Sequence, residues 1–196
     1  MKKFTLLIYI LFISAILKAQ DVNDSGYLHP TKFSLIGQEI FFPEKSFISF
    51  GIQLEASIGR HLYLNYHFAL GTTSQGGLYA HSTMGGAGGA ALLFNNPDIK
   101  GIGYAAVILL FIPEGIGFEI PLGKKSELVP YLNPAQVDYR TLKAGGEEFN
   151  FSGDAGCRYV FNMPKSHFFQ IHLGAKLLYN NGEWGIEGGA SVGKFF

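Results

Sequence analysis

The sequence predicts an all-β fold: an antiparallel up-and-down transmembrane β-barrel of eight strands, with ten as the alternative. Three observations carry this. Apolar and polar residues alternate strictly through long stretches, the pattern of a strand with one apolar face. Leu62, Leu64, Tyr66, Phe68 and Leu70, for example, alternate with His61, Tyr63, Asn65, His67 and Ala69. The alternating stretches also outrun the roughly five or six residues of a soluble strand and suit a tilted membrane crossing of about 9–11. Finally, charged residues are only 15% of the chain, against roughly 25% in a soluble domain, yet no later segment has the clean apolar length of a spanning helix.

The chain opens with a secretory pattern. Met1–Lys3 is basic, Phe4–Leu17 is apolar, and Lys18-Ala19-Gln20 offers a cleavage zone. Residues 1–19 are therefore expected to be a signal peptide and residues 20–196 a single barrel domain. Formal net charge is zero, so nothing points to nucleic acid. Cys157 is the only cysteine, which excludes an internal disulfide, and its parity sets it on the apolar face as a small hydrophobe.

Eight strands can be placed. Phe33–Phe42 is the weakest, because its alternation is blurred. Phe47–Ile58 and Arg60–Gly71 follow, joined at Gly59-Arg60. Gly115–Leu122 points Ile116, Phe118, Ile120 and Leu122 outward and Gly117 and Glu119 inward. Gly123-Lys124-Lys125 turns the chain into Glu127–Tyr139. Phe149–Phe161 and Ser166–Tyr179 are linked through Met163-Pro164-Lys165, and Asn181-Gly182, a hairpin dipeptide, launches Glu183–Phe196. The connections at Gly59, Gly123–Lys125 and Asn162–Lys165 are short and fall on one side. Thr72–Glu114 and Arg140–Glu148 fall on the other and are longer, as in outer-membrane barrels. The Gly/Ala-rich, apolar stretch at 76–113 reads as an excursion packed on or into the barrel; strands near Ser82–Phe94 and Gly101–Ile112 would make the count ten.

A soluble lipocalin-like barrel would alternate too, with its apolar face inside. Its outer face should then be rich in Lys and Glu, whereas the polar face here is mostly Gly, Ser, Asn, Gln, His and Tyr. Inward parity gathers Glu55, Glu119, Asp154 and Glu187 with Arg158, Lys176, His67 and His172. In a narrow lumen such charges must be paired or hydrated, so these residues are expected to form a polar network filling the barrel.

Other chemistry is weakly signalled. His61 and His67 share a strand face but lie roughly 20 Å apart at about 3.3 Å per residue, so no metal site is expected from them. His81-Ser82 suggests a lipid-modifying enzyme, yet neighbours on a strand point opposite ways and form no dyad. Tyr63, Tyr66, Tyr179 and Trp184 sit near strand ends and read as aromatic girdles. Gly85–Ala91 lacks the ending of a phosphate loop. No cofactor and no enzymatic activity is expected.

The chain resembles the small outer-membrane β-barrel proteins of Bacteroidota-type bacteria. The resemblance rests on Lys18-Ala19-Gln20, Ile112-Pro113-Glu114-Gly115, Pro130-Tyr131-Leu132-Asn133-Pro134 and Gly193-Lys194-Phe195-Phe196. It implies location in the cell outer membrane, contact with its lipid, and a structural or interaction role that could include another envelope protein. It also implies that Val192 and Phe196 act as an assembly signal for the barrel-assembly machinery. Lys194 departs from that signal, standing where a second outward apolar residue is usual. A narrow channel for ions or small solutes is the next reading, and a lipid-modifying enzyme the third.

Overall fold

Strict alternation gives each strand an apolar and a polar face, and closing the sheet puts one inside. The computed structural model describes residues 31–58, 61–87, 112–141 and 146–196. The signal peptide expected at 1–19, the Gly59-Arg60 link and most of the 76–113 stretch lie outside these residues. The strands are β1 (Lys32–Phe42), β2 (Lys45–Ser57), β3 (Leu62–Thr73), β4 (Leu78–Thr83), β5 (Gly115–Phe118) and β6 (Ile120–Pro121). They continue with β7 (Ser126–Thr141), β8 (Glu147–Met163), β9 (His167–Leu178) and β10 (Glu183–Phe195). All pair antiparallel in one sheet, β2-β1-β10-β9-β8-β7-β4-β3, and pairing of β2 with β3 closes the ring.

The apolar face is outside. Leu35, Phe50, Leu70, Phe149, Leu173, Trp184 and Ile186 are all at least half exposed, while Gln53, Asn65, Gln136, Gln170 and Ser191 are buried. Each strand therefore shows hydrocarbon to its surroundings and saves its polar groups for the interior, the arrangement of a membrane-spanning barrel. It is the reverse of a lipocalin. Leu173, near the middle of β9, is 66% exposed and its outward neighbours are Cys157 and Gly188. Leu173→Arg should lower membrane-folded stability by about 2–4 kcal/mol, read as a fall in the urea midpoint for unfolding from lipid vesicles. An unchanged midpoint would mean that this face meets water.

Ten strands make eight staves, because one stave is split. β4 and β5 both pair with β3 on one side and β7 on the other, one above the other. Phe68 faces Ser82 and Asn65 faces Gly115, so the chain leaves the wall at mid-height, after Thr83, and re-enters it a short step lower. Residues 84–87 form a helical turn at the exit. This corrects the reading of Thr72–Glu114 as one long loop. The β3–β4 connection is a tight turn at 74–77, with Gly76 at φ 84°, and the excursion starts in the wall. β7 answers the interruption with a bulge between Asn133 and Gln136, where Pro134 has no N–H to give. Ala135 N–H donates instead to the Glu114 carbonyl (3.0 Å). A side chain on Gly115 would meet Asn133 Oδ1 at 2.6 Å, so only glycine lets the re-entering strand approach the bulge. The two proline motifs at 112–115 and 130–134 thus face each other across the wall.

The inner face is not uniformly polar. At the rim holding the β1–β2, β3–β4 and β9–β10 turns, Ile40, Phe42, Phe47, Tyr79 and Leu178 pack together. Phe47 stacks on Tyr79 at 4.7 Å. At the opposite rim Val129, Val160 and Phe168 form a second cluster, against which Phe195 packs. These inward apolar residues explain why β1 alternates poorly. Most of the buried polar groups lie between two apolar caps, while Lys45 with Glu183 and Arg140 with Glu148 pair at the rim of the first.

Candidate functional site

The lumen zone between the caps collects seven buried carboxylates, Glu55, Glu114, Glu119, Glu127, Asp138, Asp154 and Glu187. Three buried cations accompany them, Lys32, Arg158 and Lys176, and a fourth, Arg140, pairs with Glu148 at the rim. All eight residues expected in the network are buried inside the barrel. They fall into two groups.

The first lies toward the Val129 cap. Lys32 donates to Glu127 at 2.6 Å and approaches Glu55 at 3.9 Å. Arg158 reaches Glu55 at 3.4 Å, donates to Asn65 at 3.2 Å and lies over the Tyr131 ring at 4.3 Å. Asn65 passes the chain of bonds to Asn133 (2.8 Å), and Tyr63 donates to Glu119 at 2.5 Å. Tyr63 is fully buried there, which corrects its assignment to an aromatic girdle. Its place on the inner face of β3 follows from alternation with Leu62 and Leu64. Tyr179 and Trp184 do lie exposed near one rim.

The second group is centred on Asp138. Its carboxylate accepts from Tyr79 (2.5 Å), from Ser152 and from His81 Nδ1 (2.9 Å), and pairs with Lys176 at 3.1 Å. Lys176 also donates to Gln136 (3.0 Å), whose amide donates to Asp154 (2.9 Å). Glu187 accepts from Tyr131 at 2.9 Å. That bond depends on glycine: Tyr131, Gly156, Gly174 and Glu187 lie in one row across β7, β8, β9 and β10. A side chain on Gly174 would meet the Tyr131 hydroxyl at 2.5 Å. Two bare positions let one tyrosine cross two strands.

His67 and His172 are in the lumen with the others, next to a cavity of about 20 Å³ shared with Gln38, Arg158 and Glu187. That volume holds about one water molecule. A larger groove of about 710 Å³ lies on the outer wall, between Phe33, Ile52, Leu54 and Phe68 and the exit turn at Gly86 and Ala87. It opens along the apolar outer wall, and its lining also reaches the buried Gln53, His67 and Thr83 beside the split stave. His81 and Ser82 point to opposite sides of β4, His81 buried and Ser82 not, so they form no dyad. Val192 and Phe196 face outward, 51% and 71% exposed, and Lys194 lies on the same face.

Several network residues were not legible in the sequence. Asp138 is one, because the bulge at Pro134 reverses parity. Glu127, Val129, Tyr131 and Asn133 face inward before it, and Gln136, Asp138 and Arg140 after it. Glu114 stands just outside a strand, and Lys32 precedes the first regular alternation. The one available signal for Asp138 was the proline itself, which cannot sit in a regular ladder.

No family model and no curated protein sequence matches this chain. Among solved structures it is similar to a chain from the de novo design of transmembrane β-barrels, with 9% identity and a TM-score of 0.41 over 84% of this chain and 96% of that one. It is also similar to the de novo designed TMB2.3, solved by NMR in solution, with 8% identity and a TM-score of 0.38 over 84% of this chain and 94% of that one.

Proposed function

We propose that this is an outer-membrane barrel with a structural or interaction role in the cell envelope, its lumen closed to solutes. The observation that carries the closed lumen is the pair of apolar caps, Phe42–Phe47–Tyr79 at one rim and Val129–Val160–Phe168 at the other. Between them the buried ion pairs bridge strands that are far apart in sequence, such as Lys32 with Glu127 and Lys176 with Asp138. A buried charge stays ionised only while its partner is in place, so this interior acts as a core. The apolar wall would meet outer-membrane lipid, and the excursion beginning beside the outer groove is the part suited to another envelope protein. Insertion would engage the barrel-assembly machinery through the outward Val192 and Phe196. Kinship with the small Bacteroidota-type barrels is part of the same proposal.

Planar-bilayer recording tests this directly. The folded protein should give no discrete conductance steps at moderate salt. Steady unitary currents would overturn the closed lumen and make a narrow channel the function. A boiled against unboiled gel of outer-membrane fractions tests the location: a mobility shift in that fraction is expected, and unshifted protein in the periplasm would refute it.

A further inference from the structure

We infer that His67, His81 and Glu114 form a site for one divalent transition-metal ion, of which zinc is the type, with a water molecule as fourth ligand. The three come from β3, β4 and the residue just before β5, so the ion would tie both halves of the split stave to the strand beside them. One donor atom from each lies within 4.8 Å of the other two, and all three residues are buried. His81 Nε2 lies 3.4 Å from Glu114 Oε2. That is long for a hydrogen bond. It matches the separation, about 3.4 Å, of two donors on a tetrahedral ion with bonds of about 2.0–2.1 Å.

His67 supplies the independent observation. It is 8% exposed, and its Nε2 has no hydrogen-bond partner among the described residues. An imidazolium at His81, shared between Asp138 and Glu114, would satisfy His81 but leave that nitrogen orphaned in the interior, at a cost. An ion satisfies all three. The surroundings are those of a metal-bound histidine: Asp138 holds His81 Nδ1 at 2.9 Å, which turns the Nε2 lone pair toward the site. Lys176 lies 3.4 Å from the same Nδ1, on the side away from the site, and its charge is met by Asp138 at 3.1 Å. The cavity of about 20 Å³ touches both His67 and Glu114 and has room for one water as the open ligand. A lumen with more buried carboxylates than cations also favours a dication. Two imidazoles with one carboxylate suit zinc and its neighbours rather than calcium or magnesium.

Both rims are capped, so the ion would be enclosed as the barrel closes. The full-length chain should therefore be folded from urea into detergent micelles with zinc chloride, passed over a chelating resin, and assayed for bound metal. About one zinc per folded barrel is expected, with a roughly tenfold or greater loss in H67A. H167A, at an exposed rim position, should retain the wild-type content. Among the described residues His67 Nε2 makes no hydrogen bond, so H67A should still fold, as a gel mobility shift would show. Should it not fold, wild-type barrel loaded with cobalt(II) should show the visible ligand-field bands of a tetrahedral, nitrogen-ligated ion. A zinc-free wild-type barrel, zinc retained by H67A, or cobalt without those bands overturns the site.

Discussion

Asp138→Leu is expected to destabilise the folded barrel by roughly 3–5 kcal/mol, the cost of removing one member of a buried charged set. The carboxylate is shared by Tyr79, His81, Ser152 and Lys176, so one substitution strips a partner from each. None of the four can turn to water, since each is at most 1% exposed. Urea unfolding in detergent or vesicles measures the effect. The companion double variant, Asp138→Leu with Lys176→Met, should recover part of the loss, because a paired deletion leaves no lone charge. A single variant as stable as wild type would mean that water reaches this zone and the caps do not seal.

Arg158→Leu should be nearly as damaging, again roughly 3–5 kcal/mol. Its guanidinium faces Glu55 at 3.4 Å, donates to Asn65 at 3.2 Å and covers Tyr131. Without it Glu55 keeps only Lys32, at 3.9 Å, as a charged partner within 4 Å among the described residues. The measurement is the temperature at which the fast-migrating folded band converts to the unfolded one, which should fall. Arg158→Lys should lie between, since an ammonium restores the charge without the planar contact to Tyr131. If Arg158→Leu converts at the wild-type temperature, the network is not a source of stability.

The sequence was most informative where one rule acted alone. In β3 and β9 nothing interrupts alternation, and Phe68, Leu70, Ile171 and Leu173 face outward while His67, Gln170 and His172 are buried, as parity requires. It was least informative where two rules met. β1 carries Ile36, Ile40 and Phe42 inside because it supplies a cap as well as a wall, so its alternation blurs. In β7, Pro134 forces a bulge that exchanges the faces of everything after it, and Asp138, which unbroken parity with Glu127 would set outside, lies at the centre of the network.

By itself, then, the chain determined the strands other than β4, which face of most strands is apolar, and which charges could share an interior. Those follow from a two-residue period and from turn chemistry, both local. The tertiary structure alone decided that one stave is built from two separated pieces, that the lumen is capped at both rims, and that His81 and Glu114 meet His67. These are consequences of register around a closed ring. Cross-strand neighbours there are set by how each strand is staggered on the next, a quantity that no single segment encodes.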